Sequence, residues 1–349
     1  DCIFLDPEAD AGTAELGRHI LADWNDAAAL QELGRRADLV NVDAERVPGD
    51  AANRLQSVCR VYPPAKTLTV SQDRWQARRL MQSLRIPSVP CRPVASRPQL
   101  LDAVEQFGFP CVLKTRRPVT DGKRQAILRF REDLERAWQQ LGDCELICEP
   151  YFRCDAEYAV IVVRGSDGQY ACWPLTRTLH RNGALAVTMA PVLEPGVQAR
   201  AEALAGRLFA HLEQVGVGVL EFFSAGGALI ANEYVPGPHD SANWTIDGAS
   251  VSQFDNHLHA LCGTPLADTG LEQRALTFNL AAPLPGETVR RDSPAQVYWH
   301  DFHMGARAGC KLGHVTVVAK SEAGLRARAA QLAGLLGVGA ELDLEAILD

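Results

Sequence analysis

LEFFSAGGALIANE, Leu220 to Glu233, decides the fold of this chain. It joins two apolar runs, VGVLEFF and ALIANEY, across a Ser-Ala-Gly-Gly turn, which is the pattern of a β-hairpin. Glu221 falls at the end of the first run, and Asn232 and Glu233 at the end of the second. Residues near the open end of a hairpin come together, so two carboxylates and an amide oxygen can converge on one hard cation. Magnesium takes one or two carboxylates and leaves its other positions to substrate phosphates. Acidic residues at strand ends also occur simply as solvated groups, so the metal reading depends on what surrounds the hairpin.

At 349 residues and 38.0 kDa the chain is long enough for two or three packed units with ample core. Its 47% hydrophobic and 22% charged content is that of an ordinary globular protein. A formal net charge of −8 argues against a general nucleic-acid binder, while a nucleotide needs only local positive charge. No apolar run approaches the roughly 18 residues that span a bilayer, and no signal peptide is visible, so no membrane partner is expected. The ten cysteines are scattered and none forms a CxxC pair, which points to reduced thiols in a cytoplasmic protein rather than to disulfides or zinc.

Outward from the hairpin the chain alternates strands and helices. CIFLD, helix AAALQELGRRA and strand DLVNVD have βαβ texture, pointing to a parallel sheet with helices outside. The first strand has no helix before it, so this unit is expected to lack an initial strand and helix. A long helix from Ser71, QDRWQARRLMQSL, leads to helix PQLLDAVEQFG and to strand FPCVLKTR, which carries Lys114. Strand QAILRF, helix EDLERAWQQL and strand ELICEP follow, then strands EYAVIVVRG and QYACWPLT and helix VQARAEALAGRLFAHLEQ. Beyond the hairpin come strands ALTFNLA, AQVYWHD and GHVTVVA and helix EAGLRARAAQLAGLLG.

Several residues suit a nucleotide. Lys114 ends a buried strand, where an ammonium can neutralise phosphate oxygens as a point charge. The loop KTRRPVTDGKRQ adds Lys123 beside Gly122, read either as a basic flap that closes over a triphosphate or as a solvated hairpin tip. Glu149 and Glu157 bracket a strand exit, where a carboxylate can bond ribose hydroxyls and the backbone from Cys148 to Tyr151 can read adenine. The informative signal is their order: lysine strand, flap, acidic hinge, ribose carboxylate, acidic hairpin.

In that order the chain resembles the ATP-grasp superfamily and, within it, the 5-(carboxyamino)imidazole ribonucleotide synthases of purine synthesis. The likeness is carried by SQDRWQARRL, FPCVLKTRR, DGKRQ, ICEPYFRCDAEYAVIV, WPLTRTLHRNGAL, LEFF, NEYVPGPHDSANWTIDGASVSQFDNHLHALCGTPL and RAGCKLGH. It implies an α/β, ATP-grasp architecture. A pre-ATP-grasp domain would occupy residues 1–75, the two-part grasp 76–268 with its flap subdomain at about 112–175, and a small β-rich C-terminal lobe 269–349. It also implies a homodimer that uses ATP with one or two magnesium ions, bicarbonate and an amine acceptor. By the same resemblance Lys114 and Arg78 (a lysine in most relatives) hold ATP phosphates, Glu149 sits at the adenine hinge and Glu157 on the ribose. Glu221 and Glu233 would ligate magnesium, helped by Asn232.

If the family chemistry holds, bicarbonate attacks the γ-phosphate to give carboxyphosphate, with Asp121, Lys123 and His239 as candidate catalytic residues. His239 is read equally as a proton acceptor near neutral pH or as a loop-orienting side chain. Asp43 and Glu45 either face the acceptor or belong to a solvated loop. Ser241, Arg307 and Lys311 complete the acceptor candidates. This side departs most from the family. Where relatives have Pro-Arg-Pro-His-Asn-Ser-Gly-His, this chain has Pro236, Gly237, Pro238, His239, Asp240, Ser241, Ala242 and Asn243, so an arginine has become Gly237. Two cations expected to grip the ribotide phosphate are Met304 and Cys310, and the flap has Pro118, Val119 and Thr120 in place of Gly-Gly-Tyr. The carboxylating synthase leads. A ligase for another acid or amine, and a non-catalytic ATP-binding relative, are the alternatives.

Overall fold

The computed structural model describes the whole chain except residues 10, 14–15, 44–45, 118–124, 182, 304–310, 339–346 and 348–349. At the N-terminus Ile3–Asp6 pairs in parallel with Arg18–Leu21, and Leu39–Asn41 pairs in parallel with Arg60–Tyr62. The expected parallel pairing is present, hydrogen-bonded as two separate two-stranded pairs. Helix Ala27–Arg36 starts at Asp26, whose carboxylate accepts from the backbone N–H of Ala28 and Ala29, satisfying donors that a helix start leaves without partners. Its Leu30 and Leu33 pack with Val40, Val61, Leu55 and Leu68 into the core of this unit.

A second unit is a four-stranded antiparallel sheet, in the order Arg92–Val94, Leu146–Pro150, Cys111–Thr115, Gln125–Leu128. Helices Arg97–Phe107 and Asp133–Leu141 bury Leu100, Val104, Leu134 and Leu141 against Leu113, Leu128 and Leu146. The strand bearing Lys114 is central here, with alternate residues buried.

The third unit is a nine-stranded sheet among the described residues, and every strand pair in it is antiparallel. From one edge it runs Ala228–Val235, Gly216–Ala225, Ala156–Arg164, Thr176–Arg181, Ala184–Ala190, Arg274–Leu280, Gly313–Ala319, Val297–Asp301, with Tyr170–Cys172 also pairing with Ala156–Arg164. Helix Val197–Leu212 covers one face over Val160, Val162, Leu220 and Phe222. Helix Gln253–Cys262 lies on the other, over Ile161, Val163 and Val217. The three C-terminal strands extend this same sheet and are covered by helix Glu322–Leu336 through Leu325, Ala329 and Leu332.

The periodicity readings fail locally for identifiable reasons. QYACWPLT, expected as one strand, divides into Tyr170–Cys172 and the start of Thr176–Arg181. Between them Trp173 turns inward and donates its indole N–H to the Val251 carbonyl at 3.0 Å, and Pro174 has no N–H to give a ladder. The helix read from Ser71 is Arg74–Ser83, started two residues later by the cap of Asp73, and a separate helix, Ala65–Ser71, precedes it unread. Strand Ala184–Ala190 and helices Gly49–Gln56 and Gln253–Cys262 were not read from the sequence.

Candidate active site

The hairpin turns on Gly226 and Gly227, at φ +55° and +77°. Positive φ at both central residues is what a two-residue type I′ turn requires, and glycine adopts it without steric cost. Down the hairpin Phe222 pairs with Ala231 and Leu220 with Tyr234, so the single residue Glu221 stands opposite two, Asn232 and Glu233. This is a β-bulge. Leu220, Phe222, Ala231 and Tyr234 all enter the core under helix Val197–Leu212. Strict alternation would have sent one of Asn232 and Glu233 into that core. The extra residue lets both stand on the opposite face with Glu221. Register extends this face to the next strand, where Ala159 pairs with Glu221 and Glu157 with Phe223.

Arg74 and Arg78 reach the hairpin from helix Arg74–Ser83, and Lys114 of the lysine strand meets Arg78 at Glu149. Arg78 is buried; its Nε and Nη2 donate to one oxygen of Glu149 at 3.2 and 2.9 Å, and its Nη1 donates to the carbonyls of Ala231 and Asn232. Lys114 Nζ meets the other Glu149 oxygen at 2.7 Å. The ladder explains this meeting: Val112 pairs with Glu149, and Lys114 lies two residues on, on the same face. Burial pushes the Glu149 carboxyl up, but the charges of Arg78 and Lys114 outweigh it and hold Glu149 below the usual carboxylate range. Asp73 fixes the helix to this strand. Beyond its capping bonds it accepts from Arg116 Nε and Nη2 at 2.9 and 2.8 Å. Arg74 donates to the Thr115 carbonyl at 2.8 Å and reaches Glu233 at 3.7 Å.

Beyond the hairpin the chain enters Pro236-Gly237-Pro238-His239 and lines a cleft of about 500 Å³ with Asp43, Asp240, His300 and Phe302. His239 Nδ1 contacts the Ser241 hydroxyl at 2.9 Å, accepts from the Ser241 N–H at 3.3 Å, and lies 4.0 Å from Glu221. Buried Gln253 holds the loop at both ends, accepting from the His239 N–H at 2.9 Å and donating to the His239 carbonyl at 3.0 Å. Lys311 pairs with Asp240, which also accepts from Asn243 at 3.3 Å. Burial raises the Asp240 carboxyl, yet Lys311 and His239 outweigh it and keep it low.

Of the residues singled out from the sequence, the structure brings Arg78, Lys114, Glu149 and Asn232 into one contact network. Glu221, His239 and Ser241 form a second; Asp43 borders the cleft beside it, and Lys311 pairs with Asp240, which also lines that cleft. Glu157 joins the hairpin face and pairs with His180 on the neighbouring sheet strands. Glu45, Asp121, Lys123 and Arg307 lie outside the described residues. Sequence reasoning missed Arg74, His180 and Gln253. Only Arg74 carried a signal, its i, i+4 spacing to Arg78 on one helix face.

Residues 79–254 match the ATP-grasp domain model, and residues 1–72 match the ribonucleotide synthetase preATP-grasp domain model. An N5-carboxyaminoimidazole ribonucleotide synthase of Pseudomonas aeruginosa is 38% identical over 335 residues, 95% of this chain and 92% of that protein. Among solved structures, the N5-carboxyaminoimidazole ribonucleotide synthetase of Thermus thermophilus superposes with a TM-score of 0.89 at 35% identity, covering 98% of this chain and 92% of that one. An ADP complex of another N5-carboxyaminoimidazole ribonucleotide synthetase gives a TM-score of 0.91 at 27% identity, covering 97% and 91%. With a bulged acidic hairpin tied through Arg78 to the Glu149 that meets Lys114, and a match along nearly its whole length, the chain belongs to the N5-carboxyaminoimidazole ribonucleotide synthase family of ATP-grasp ligases.

Proposed function

We propose that this chain is an ATP-dependent carboxylating ligase that forms carboxyphosphate from bicarbonate and passes its carboxyl group to the amine of 5-aminoimidazole ribonucleotide. The observation that carries this reading is the bulge, which sets Glu221, Asn232 and Glu233 on one face of the hairpin. Two carboxylates and an amide are hard oxygen donors, the set that suits magnesium. Glu221 and Glu233 would hold one or two such ions with help from Asn232. When bound, the ion screens the charge of the transferring phosphoryl group.

In the reaction so assigned, a bicarbonate oxygen bonds the γ-phosphorus as its bond to the ADP oxygen breaks, giving carboxyphosphate. The acceptor amine then bonds the carboxyl carbon as phosphate leaves, and gives up a proton. Lys114, with Lys123 and Asp121 of the flap, would serve the phosphates. Arg78 supports this from behind, committed to Glu149 and to the hairpin carbonyls. The strand exit after Glu149 would read adenine, and Glu157 the ribose. His239 fits the orienting role better than proton acceptance, since its Nδ1 already accepts from the Ser241 N–H. Asp43, Glu45, Ser241, Arg307 and Lys311 would border the acceptor. A homodimer, a cytoplasmic location and boundaries near residues 75 and 268 belong to the same reading; no described helix is long and apolar enough to cross a membrane.

The test is ADP release from magnesium-ATP and bicarbonate, with and without the ribotide. Stimulation by the ribotide is expected; stimulation only by other amines or acids would reassign the acceptor, and ATP binding without turnover would remove the enzymatic reading. Gly237→Arg bears on the same point. A Cβ at Gly237 meets nothing within 4 Å, so the fold should accept the arginine that relatives carry there. Its expected effect is a rise in ribotide-dependent turnover of about tenfold or more, the scale of a donor aimed at a developing oxyanion.

A further inference from the structure

Three adjacent strands of the central sheet carry ligand-type side chains in one row. His300 pairs with His314 across one ladder, and His314 pairs with Asn279 across the next. Residues directly opposite in neighbouring strands share a face, so the three stand side by side. Asp247, from the short helix Thr245–Gly248 that packs on this part of the sheet, closes over them. Its Oδ2 lies 2.9 Å from His300 Nε2, and the His300 and His314 rings stack with centroids 4.3 Å apart. Ligand atoms of Asp247, His300 and His314 all lie within 4.8 Å of one another.

His314 is only 2% exposed, yet neither of its ring nitrogens has a hydrogen-bond partner among the described residues. The same holds for both amide atoms of Asn279 beside it. Buried polar atoms without partners are uncommon because each carries a desolvation cost, and an ion is one of the few things that accounts for a cluster of them.

We propose that Asp247, His300 and His314 form a site for a first-row transition dication of the zinc class, separate from the hard-cation carboxylates of the hairpin. Two imidazoles and one carboxylate are a borderline-soft donor set that prefers such ions to magnesium. Ligand bonds of about 2.1 Å require donors no more than about 4 Å apart, so binding requires the stacked rings to rotate until a nitrogen of each converges on the ion. His300 and His314 both line the cleft beside His239, so an ion held between them would border it. An ion there would supply positive charge on the cleft wall. The inference is independent of which amine the cleft accepts.

The experiment uses cobalt(II) as the probe, titrated into the full chain without ATP and followed by its visible d–d absorption. One equivalent should bind, be displaced by zinc and not by magnesium. His300→Ala and Asp247→Asn should each weaken cobalt binding at least tenfold while far-UV circular dichroism shows them folded. Glu233→Gln should bind cobalt as the parent does. No cobalt spectrum from the folded parent, or an unaltered one in both His300→Ala and Asp247→Asn, would overturn the site. Loss of the spectrum in Glu233→Gln would overturn it too, by assigning the ion to the hairpin.

Discussion

Glu233 and Glu149 are both carboxylates beside cations, and their surroundings give them opposite consequences on removal. The side chain of Glu233 is about a third exposed (34%) and 3.7 Å from Arg74. Exposed pairs of this kind contribute little to stability, so Glu233→Ala should leave the melting temperature nearly unchanged. Its ADP release should fall on the order of a hundredfold, as expected when an electrostatic group aimed at a transferring phosphoryl is lost; full activity would refute the metal assignment. Glu149 is 2% exposed and neutralises two cations. Glu149→Ala leaves Arg78 and Lys114 without their anion and should cost about 3–5 kcal/mol in urea denaturation. The sign with pH follows from its lowered folded pKa. Its contribution is present above the unfolded value of about 4.3 and is lost as pH falls through the folded one. Stability that does not decline more in the parent than in Glu149→Ala over that acid range would contradict this.

At the scale of elements, the legible parts were those with strong periodicity. Helix Val197–Leu212 follows its apolar spacing closely, because burial on one face leaves little choice of register, and strand Gly313–Ala319, buried along its whole length, follows its short apolar run. The bulge was not legible. Ala231-Asn232-Glu233-Tyr234 reads as ordinary alternation broken once, and only the partner strand decides whether the break is a bulge or a strand end. The anchoring of the loop at His239 was hidden for a related reason: Gln253 holds His239 across fourteen residues of sequence, a contact that local pattern cannot show. Helix Gln253–Cys262 depends on a similar long-range contact. Its His257 accepts from the Val217 N–H at 2.9 Å, and burial depresses the His257 pKa from an ordinary 6.5 to about 4. The unfolded chain therefore binds a proton that the folded one refuses between those values. Stability is fully present above pH ~6.5 and declines towards pH ~4, by up to about 3 kcal/mol. Urea midpoints across this window should fall less steeply in His257→Gln; an identical slope would exclude His257 as the source.

For the whole molecule, the consequential fact is that the C-terminal strands continue the sheet that carries the acidic hairpin. A chain read as three successive regions thereby becomes mechanically divided in another way. Helix Glu322–Leu336 lies far from the hairpin along the sequence, yet its Leu332 packs in the cluster with Phe278, Val315 and Val317 on strands of that same sheet. The lysine strand instead belongs to a four-stranded sheet with its own core around Leu113, Leu128 and Leu146. Strands joined by an unbroken ladder open together, whereas a unit with its own core can open separately. Leu332→Ala removes a fully buried side chain and should cost about 2–5 kcal/mol. In hydrogen exchange that loss should appear in peptides from strand Gly216–Ala225, distant in sequence but in the same sheet, while strand Cys111–Thr115 keeps its protection. Equal loss in both strands would mean that the two sheets unfold as one unit, and the grasp would then lack an independently opening half above the acidic hairpin.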